Sequence, residues 1–584
     1  MSLQAETLRE TRQPMKRKND GCFSVYPLAG SGREWERKNA FSMEMLMGIM
    51  WLLVAVVLVL MALFTNGYAS DSEETSFEIK EYIVKGNTLL PYEGITEGLK
   101  FYTGQNKTAK DVEEARKYLE GLYHKDGYPT VLVNIPPQEV QEGFVTLEVI
   151  ESKIGDVRVT GNRYHTKEKI LGMLPSFRRG NILFVPEVQK EVNKANTGDD
   201  LKVTPILMPG SVLGTTDVEL KVTDYFPLHG SIELNNRSSH DTSSLRLNGI
   251  IHYDNLWQME HSLTLQYQAS PQDTSEVKAF AASYVLPAPW NGDNILAAYW
   301  VWSNSQTAFG EGYQMIGKGN VYGIQYAVPL PYYKLYSHSI SFGLDYKDMK
   351  ETQGSVGGEA NVKTPVTYLP FNIGYNANLP DSEGTTRFNA GISTAFRSFV
   401  TKESEFEQDR YMARSDYLIT KLGAEREQTL PKDTSLYVKV DGQLSSQPLI
   451  NNEQYSAGGM MNVRGYKESE VLGDNALHGT LELRAPDMLK LPGTTKLASY
   501  IFSKGSPESR NLTPYIFYDA AMLTIIDPLP GQDKRSSLEG TGLGLRGNLS
   551  RYFQFETDYA LALKKTDQTK RGDRMLHFFI KGQF

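Results

Sequence analysis

Apolar and polar residues alternate through most of the second half of the chain. Leu263, Leu265 and Tyr267 interleave with Thr264, Gln266 and Gln268. Leu436, Val438, Val440 and Leu444 interleave with Lys439, Asp441 and Gln443. The same holds for Leu477, Leu481 and Leu483 against His478, Glu482 and Arg484, and for Phe553, Phe555, Tyr559 and Leu561 against Gln554, Glu556 and Asp558. A period of two is the signature of a strand with one apolar face. From Leu228 to Phe584 no amphipathic helical pattern exceeds about two turns. A soluble sandwich alternates in the same way, but two features favour a membrane barrel. The polar face carries charges in strand after strand, as a wet barrel interior would, and the segments are about ten residues long, the length of a tilted membrane strand. The pattern predicts about 16 strands, beginning near residues 230, 244, 261, 276, 294, 319, 338, 364, 385, 415, 434, 476, 512, 539, 552 and 574. An even count returns both barrel ends to one side of the membrane. In the last strand Leu576, Phe578, Ile580 and Phe584 share one face, and His577, Lys581 and Gln583 the other.

Upstream the pattern changes. Phe77–Asn87 alternates like a strand and ends in a Gly-Asn turn; Ile154–Asn162 repeats it 75 residues later, so Ile83–Asn87 matches Val157–Asn162. Each copy then turns helical. Thr108 and Asp111 resemble a capping box, and Val112, Ala115, Leu119 and Leu122 follow at helical spacing. Strands are expected at Tyr128–Ile135 and Gly143–Glu151 in the first copy. In the second, a helix is expected near Pro186–Ala195 with Val188 and Val192 inward, then strands near Leu201–Met208 and Asp217–Asp224. The domain boundaries that follow are 76–152, 153–225 and 226–584, with a long barrel loop at 446–475.

Residues 1–69 are set apart. Met45–Phe64 is an uncharged apolar run, preceded by Arg37 and Lys38 and followed by Gly67-Tyr68-Ala69. This reads as a leader and secretory signal cleaved near Ala69. A membrane anchor is the alternative, because about 20 apolar residues can span a bilayer.

Composition narrows the classes. The 584 residues carry a net charge of −8, which gives no reason to expect nucleic acid as a partner. A mean hydropathy of −0.39 excludes a polytopic helical membrane protein but not a barrel. The single cysteine, Cys22, excludes a zinc cluster, a disulfide framework and a CxxC redox site. There is no GxxxxGK[ST], HExxH or EF-hand pattern, and the nine histidines are scattered. Gly540-Thr-Gly-Leu-Gly544 lacks a strand–turn–helix context and reads as glycine-rich strand. The sequence therefore predicts no enzyme, no catalytic residue, no metal and no cofactor.

The order strand–helix–helix–strand–strand, given twice before a β-rich remainder, resembles the polypeptide-transport-associated (POTRA) domain. The run Gly127-Tyr128, Ile135-Pro-Pro-Gln138, Gly143–Glu151 and Ile154-Gly155 resembles the first such domain of two-partner secretion transporters. Between the strands near 434 and 476 lies Val463-Arg464-Gly465-Tyr466, and the strand near 512 carries Phe517-Tyr518-Asp519. This pair of motifs resembles the outer-membrane assembly and secretion superfamily. The resemblance implies that the loop folds back into the barrel and that Arg464 meets Asp519. A carboxylate is the best bidentate acceptor for an arginine in a narrow lumen, and Tyr515, Phe517, Asp519 and Ala521 fall on one face of their strand. Phe584 resembles the C-terminal targeting signal of outer-membrane barrels.

Two departures stand out. Ala521 replaces the glycine that usually ends the strand motif, and only about seven residues between Ala69 and Phe77 leave no room for the plug helix of many relatives unless the leader is retained. An element at Leu497–Phe502 is left unassigned. The implied function is export of a large partner protein, recognised through its N-terminal secretion domain, without nucleotide hydrolysis. The implied surroundings are outer-membrane lipid and, during biogenesis, the barrel-assembly machinery. A barrel insertase of the same superfamily and a passive porin with periplasmic binding modules are the alternatives.

Overall fold

The computed structural model describes residues 76–140, 142–240, 242–305, 317–331, 333, 335–353, 362–397, 400–490 and 510–584. The leader and signal at 1–69 and the element at Leu497–Phe502 lie outside them. The chain divides into Met1–Tyr225 and Phe226–Phe584.

The first unit holds two three-stranded sheets of the same design. In one, β2 (Glu81–Lys85) runs parallel to β5 (Phe144–Ile150), and β4 (Leu132–Asn134) pairs antiparallel with β5. In the other, β6 (Lys153–Thr160) runs parallel to β8 (Thr215–Asp224), which pairs with β7 (Leu201–Pro209). A small extra pairing joins β1 (Phe77–Ile79) to β3 (Gly104–Lys107). Helix α1 (Tyr92–Leu99) precedes α2 (Ala109–Lys125) in the first copy; α3 (Lys167–Met173) precedes α4 (Val185–Ala195) in the second. Helix α2 starts where the Asp111 carboxylate takes the Thr108 N–H at 2.8 Å. It buries Val112, Ala115, Leu119 and Tyr123 against β5, at the spacing of one helical face.

The expected strand Tyr128–Ile135 shrinks to Leu132–Asn134. Pro129 has no N–H for a ladder, and the Tyr128 N–H is taken by the Tyr123 carbonyl at the end of α2 (2.9 Å). The freed segment joins the two copies. The Val185 N–H donates to the Gly127 carbonyl (2.9 Å), and the Tyr128 and Phe184 rings lie 5.1 Å apart.

The repeated Gly-Asn has a physical reason. Gly86 and Gly161 sit at φ +84° and +83°, and a Cβ on either would lie 2.3 Å from the carbonyl oxygen of Val149 or Val222. Each turn is then held by a carboxylate closing the last strand. Glu151 accepts the N–H groups of Thr88 (2.6 Å) and Leu89 (3.1 Å). Asp224 accepts those of Arg163 (2.9 Å), Tyr164 (2.7 Å) and His165 (2.8 Å). Burial raises the pKa of Asp224, but its N–H donors outweigh that and hold it below the usual carboxylate range.

The second unit is a closed antiparallel barrel. Its strands are β9 (Leu228–Asn235), β10 (Arg246–Leu256), β11 (His261–Ala269), β12 (Lys278–Ala288), β13 (Asn291–Ser303), β14 (Gly319–Pro329), β15 (Ser337–Gln353), β16 (Val362–Tyr368), β17 (Phe371–Pro380), β18 (Gly384–Thr394), β19 (Leu418–Leu430), β20 (Thr434–Ser445), β23 (Asn475–Arg484), β24 (Asn511–Thr524), β25 (Arg535–Ser550), β26 (Phe553–Ala562) and β27 (Arg574–Gln583). The short β21 (Tyr455–Ala457) and β22 (Val471–Gly473) pair only with each other. β16 and β17 are two halves of one wall strand. Both pair with the long β15, and they part at Leu369-Pro370. The wall therefore has 16 strands, as the alternation predicts. Among the described residues no helix is long and apolar enough to cross a membrane.

The barrel closes between β27 and β9, in register from Phe579 opposite Asn235 to Gln583 opposite Ser231. Phe584 extends that seam: its N–H donates to the Gly230 carbonyl (3.0 Å), and the Gly230 N–H donates back (3.3 Å). A Cβ on Gly230 would lie 2.5 Å from the Phe584 ring, so the ring lies over the bare glycine on the outer face. Leu477, Leu481, Leu483, Ile516 and Tyr518 also face outward and are exposed, whereas His478, Glu482 and Asp519 are buried inside.

Two measurements follow. Phe584→Asp should lower the amount of heat-modifiable barrel in the membrane without changing the pores that do assemble; wild-type barrel levels would contradict this. In a soluble 76–225 fragment, Asp224→Ala should cost about 1–3 kcal/mol at neutral pH, the price of lost bonds to a charged acceptor. Because the folded pKa is depressed, that advantage is present above roughly pH 4 and fades as pH falls through the folded value. Denaturant melts at pH 7 and pH 3 read both.

Candidate functional site

The segment 446–474 joins β20 to β23 and turns back as a hairpin, with Tyr455 opposite Gly473 and Ala457 opposite Val471. Gly458 and Gly459, at φ +105° and +107°, start its tip. The tip carries Val463, Arg464, Gly465 and Tyr466, all buried. Val463 and Tyr466 pack with Ala521, Leu523, Leu538 and Ala562 from the walls of β24, β25 and β26. The loop is thus held inside the barrel by apolar side chains as well as by charge.

Arg464 meets Asp519 in a two-pronged pair. Its Nε donates to Oδ2 at 2.7 Å and its Nη2 to Oδ1 at 2.8 Å. The Arg464 backbone N–H adds a third bond to Oδ2 at 3.1 Å. Nη1 donates to Glu482 at 2.8 Å, and the Asp558 carboxylate lies 3.7 Å from it. The guanidinium lies over the Phe517 ring, 3.6 Å from its centre. A charge this buried is tolerable only when every face is matched, and here carboxylates meet its edge and an aromatic its plane.

The charges continue along the wall. Glu482 also receives Arg484 (2.9 and 2.8 Å), which reaches Glu427 at 3.0 Å. Arg546 pairs with Glu556 at 2.8 and 2.9 Å, and Tyr515 donates to Glu556 at 2.9 Å. The inner face carries charges as expected, and around Arg464 they join in an ion-pair network whose outer members, Glu427 and Arg546, remain partly exposed. The opposite wall departs from that pattern, because Val301, Val321, Met349 and Val366 point inward and are buried under loop residues.

Gly465, at φ +98°, donates its N–H to His577 Nε2 at 3.1 Å. Its neighbours Leu561 and Ala562 would lie 3.1 Å from a Cβ. The Tyr466 hydroxyl lies 2.9 Å from the Lys564 carbonyl and 3.0 Å from that of Glu539. Phe517 is the floor under Arg464, and Phe584 lies at the seam, apart from this cluster.

Sequence reasoning missed six members. Glu482, Asp558 and His577 appear in it only as polar-face residues, and Gly540-Thr-Gly-Leu-Gly544 only as glycine-rich strand. Those glycines make the room: a Cβ on Gly540 would lie 1.9 Å from the Arg464 carbonyl oxygen, one on Gly542 2.7 Å from the Phe517 ring, and one on Gly544 2.2 Å from the Tyr515 ring. The signal available was their alternation, which puts all three on one strand face.

Residues 214–547, more than half of the chain, match the model of the haemolysin secretion/activation protein ShlB/FhaC/HecB family. Residues 77–152 match the ShlB-type POTRA domain. The heme/hemopexin transporter protein HuxB of Haemophilus influenzae is 21% identical over 378 residues, 63% of this chain and 65% of that protein. The match thus spans slightly under two thirds of that relative. The outer membrane transporter CdiB of Dickeya dadantii is 20% identical over 70% of this chain and 72% of its own length. Among solved structures, CdiB from Escherichia coli superposes with a TM-score of 0.61 at 17% identity, covering 88% of this chain and 92% of that one. BamA from Haemophilus ducreyi lacking POTRA domains 1–3 gives 0.52 at 14% identity, covering 87% and 100%. At these identities the structural likeness establishes the fold alone.

Removing one partner of a buried pair costs about 3–5 kcal/mol, because the other charge is left stranded. Arg464→Ala should therefore leave a barrel in the membrane but free the loop. Arg464→Cys should resist a bulky impermeant thiol reagent added outside and label faster once Asp519→Ala is added. Gly540→Ala, which leaves every charge in place, should expose the loop in the same assay. Rapid labelling of Arg464→Cys with Asp519 intact would show a loop already in solvent.

Proposed function

The chain belongs to the haemolysin secretion/activation family of ShlB, FhaC and HecB, and from that membership we propose that it exports one large partner protein by two-partner secretion. The barrel lies in the cell outer membrane, with the POTRA region in the periplasm. The observation that carries the reading is the inward loop with Arg464 locked on Asp519, inside a 16-strand barrel that follows a POTRA match. The second α+β copy, residues 153–225, is read as a second POTRA domain because it repeats the first sheet and its carboxylate-held Gly-Asn turn.

The passenger's N-terminal secretion domain would be met in extended form by a sheet edge, where backbone hydrogen bonds need little sequence identity. In the second sheet the two edges differ. β7 carries Pro205 and Pro209, which blunt it. β6 is proline-free; its start is covered by residues 180–182, and Val157–Thr160 form its open edge. We assign the docking role to β6 and, in the first sheet, to β2. No nucleotide motif is present in the sequence, so the driving force is assigned to folding of the passenger outside. Biogenesis of the barrel is assigned to the assembly machinery of the outer membrane.

The insertase reading rests on the likeness to BamA, and the family match favours export over it. A passive porin is disfavoured by a lumen that holds a buried ion pair and an apolar cluster.

The test is reconstruction of export. Cells should release a co-expressed passenger bearing a secretion domain only when this chain is present. A Pro substitution at Val157 in β6 should reduce capture of the passenger's N-terminal segment by the 76–225 fragment. Release of the passenger without the chain would defeat the export reading, and undiminished capture would defeat the assignment to β6.

A further inference from the structure

A protein-conducting lumen is expected to be lined with polar groups, yet one end of this one is filled by a buried apolar cluster around the Lys347–Glu453 pair (2.6 Å). Ala281, Val301, Val321, Met349 and Val366, on successive wall strands, point inward at the end where the long loops emerge. They pack with Phe406, Ala413 and Tyr417, together with Leu449 and Ile450. The first three belong to the segment 400–417 between β18 and β19, which contains the short helix α5 (Glu403–Asp409). Phe406 lies 5.4 Å from the Tyr368 ring of β16 and meets it edge-on. The segment is braced internally, because the Glu403 carboxylate takes the Ser415 hydroxyl at 2.6 Å and its N–H at 3.3 Å. It has the build of a small rigid body.

Two arginines tie that body to the ends of the loop that carries Arg464: Arg414 donates to the Gln447 side chain at 3.1 and 2.9 Å, and Arg410 makes the larger set of bonds. Arg410 donates through both terminal nitrogens to the Asp474 carboxylate, the Nη2–Oδ2 bond being 2.8 Å. It also donates to the carbonyls of Leu449 and, at 3.1 Å, Ile526. Asp474 is fully buried at the root of β23, where the loop carrying Arg464 ends.

The two arginine–carboxylate pairs of the lumen are built differently. All three hydrogen bonds described for Asp519 come from Arg464. Asp474, by contrast, also accepts the N–H groups of Ile526 (2.7 Å) and Leu449 (3.0 Å) and the Gln454 side-chain amide (3.0 Å). Losing Arg464 strands a buried carboxylate. Losing Arg410 leaves Asp474 with three neutral donors, while the freed guanidinium moves to water. A contact whose rupture leaves the buried carboxylate still hydrogen-bonded suits a two-state element better than one that leaves it bare.

We propose that segment 400–417 is a gate over the outer mouth of the lumen, latched by Arg410 on Asp474, which swings out for the passenger while Arg464 stays on Asp519. The gate rests on the export reading, but ion conductance tests it without a passenger. Full-length Arg410→Ala, confirmed as a heat-modifiable barrel, should spend several-fold more time open in planar bilayers than the parent. In a Cys22→Ser background, Tyr368→Cys with Phe406→Cys, bridged by a short bis-thiosulfonate reagent, should lose both openings and secretion. A reductant should restore both. A bridged transporter that conducts and secretes like the unbridged one, or an assembled Arg410→Ala barrel with unchanged open time, would overturn the gate. If the variants alter conductance as stated but no passenger is released by the parent chain, the gate stands and the export reading falls.

Discussion

A guanidinium carried into the middle of a barrel must find its counter-charges there, and Arg464 finds them on three wall strands. Asp519 grips it with both oxygens, Glu482 takes the remaining terminal nitrogen, and Asp558 stands 3.7 Å away. Desolvating such an ion is tolerable only with near-complete pairing. The loop therefore has one deep seat, and the wall around that seat is shaped to receive it. Gly540 gives up its side chain so that the Arg464 carbonyl can approach, and Phe517 lies under the guanidinium plane. His577 takes the next N–H along the loop. Removing the arginine would leave a wall of carboxylates and bare glycines with nothing to hold.

Charge alone does not keep the loop inside. Val463 and Tyr466 flank the arginine and are fully buried against the wall. The ion pair fixes position and the apolar neighbours supply much of the attraction, since buried apolar area is non-directional whereas a bidentate pair has one geometry. The same division recurs at the outer mouth. There Phe406 and its neighbours fill space and Arg410 fixes where they sit.

The first unit repeats one solution to a different problem. A turn that follows an edge strand exposes several backbone N–H groups, and a carboxylate at the end of the neighbouring central strand gathers them. Glu151 and Asp224 do this 73 positions apart in nearly the same setting, each next to a glycine that passes over a carbonyl. The motif is local in space but spans about sixty residues in sequence, so only its Gly-Asn half shows as a repeat.

The alternation by itself determined the wall. It gave 16 strands and separated the lipid face of Leu477 and Ile516 from the inner face of Glu482 and Asp519, because strand side chains change sides at every residue. Resemblance paired Arg464 with Asp519. What alternation does not encode is height along the barrel. That is set by strand register: Asp519 lies opposite Gly540 and Thr480, and Asp558 opposite Gly544 and His577. Only the closed sheet brought Glu482, Asp558, His577 and the three glycines to the level of Arg464. The filling of the outer mouth was likewise invisible in the chain. Phe406 and Arg410 read as ordinary loop residues until the barrel closes around them, when an apolar ring must meet an apolar wall and a half-buried cation the buried Asp474 carboxylate.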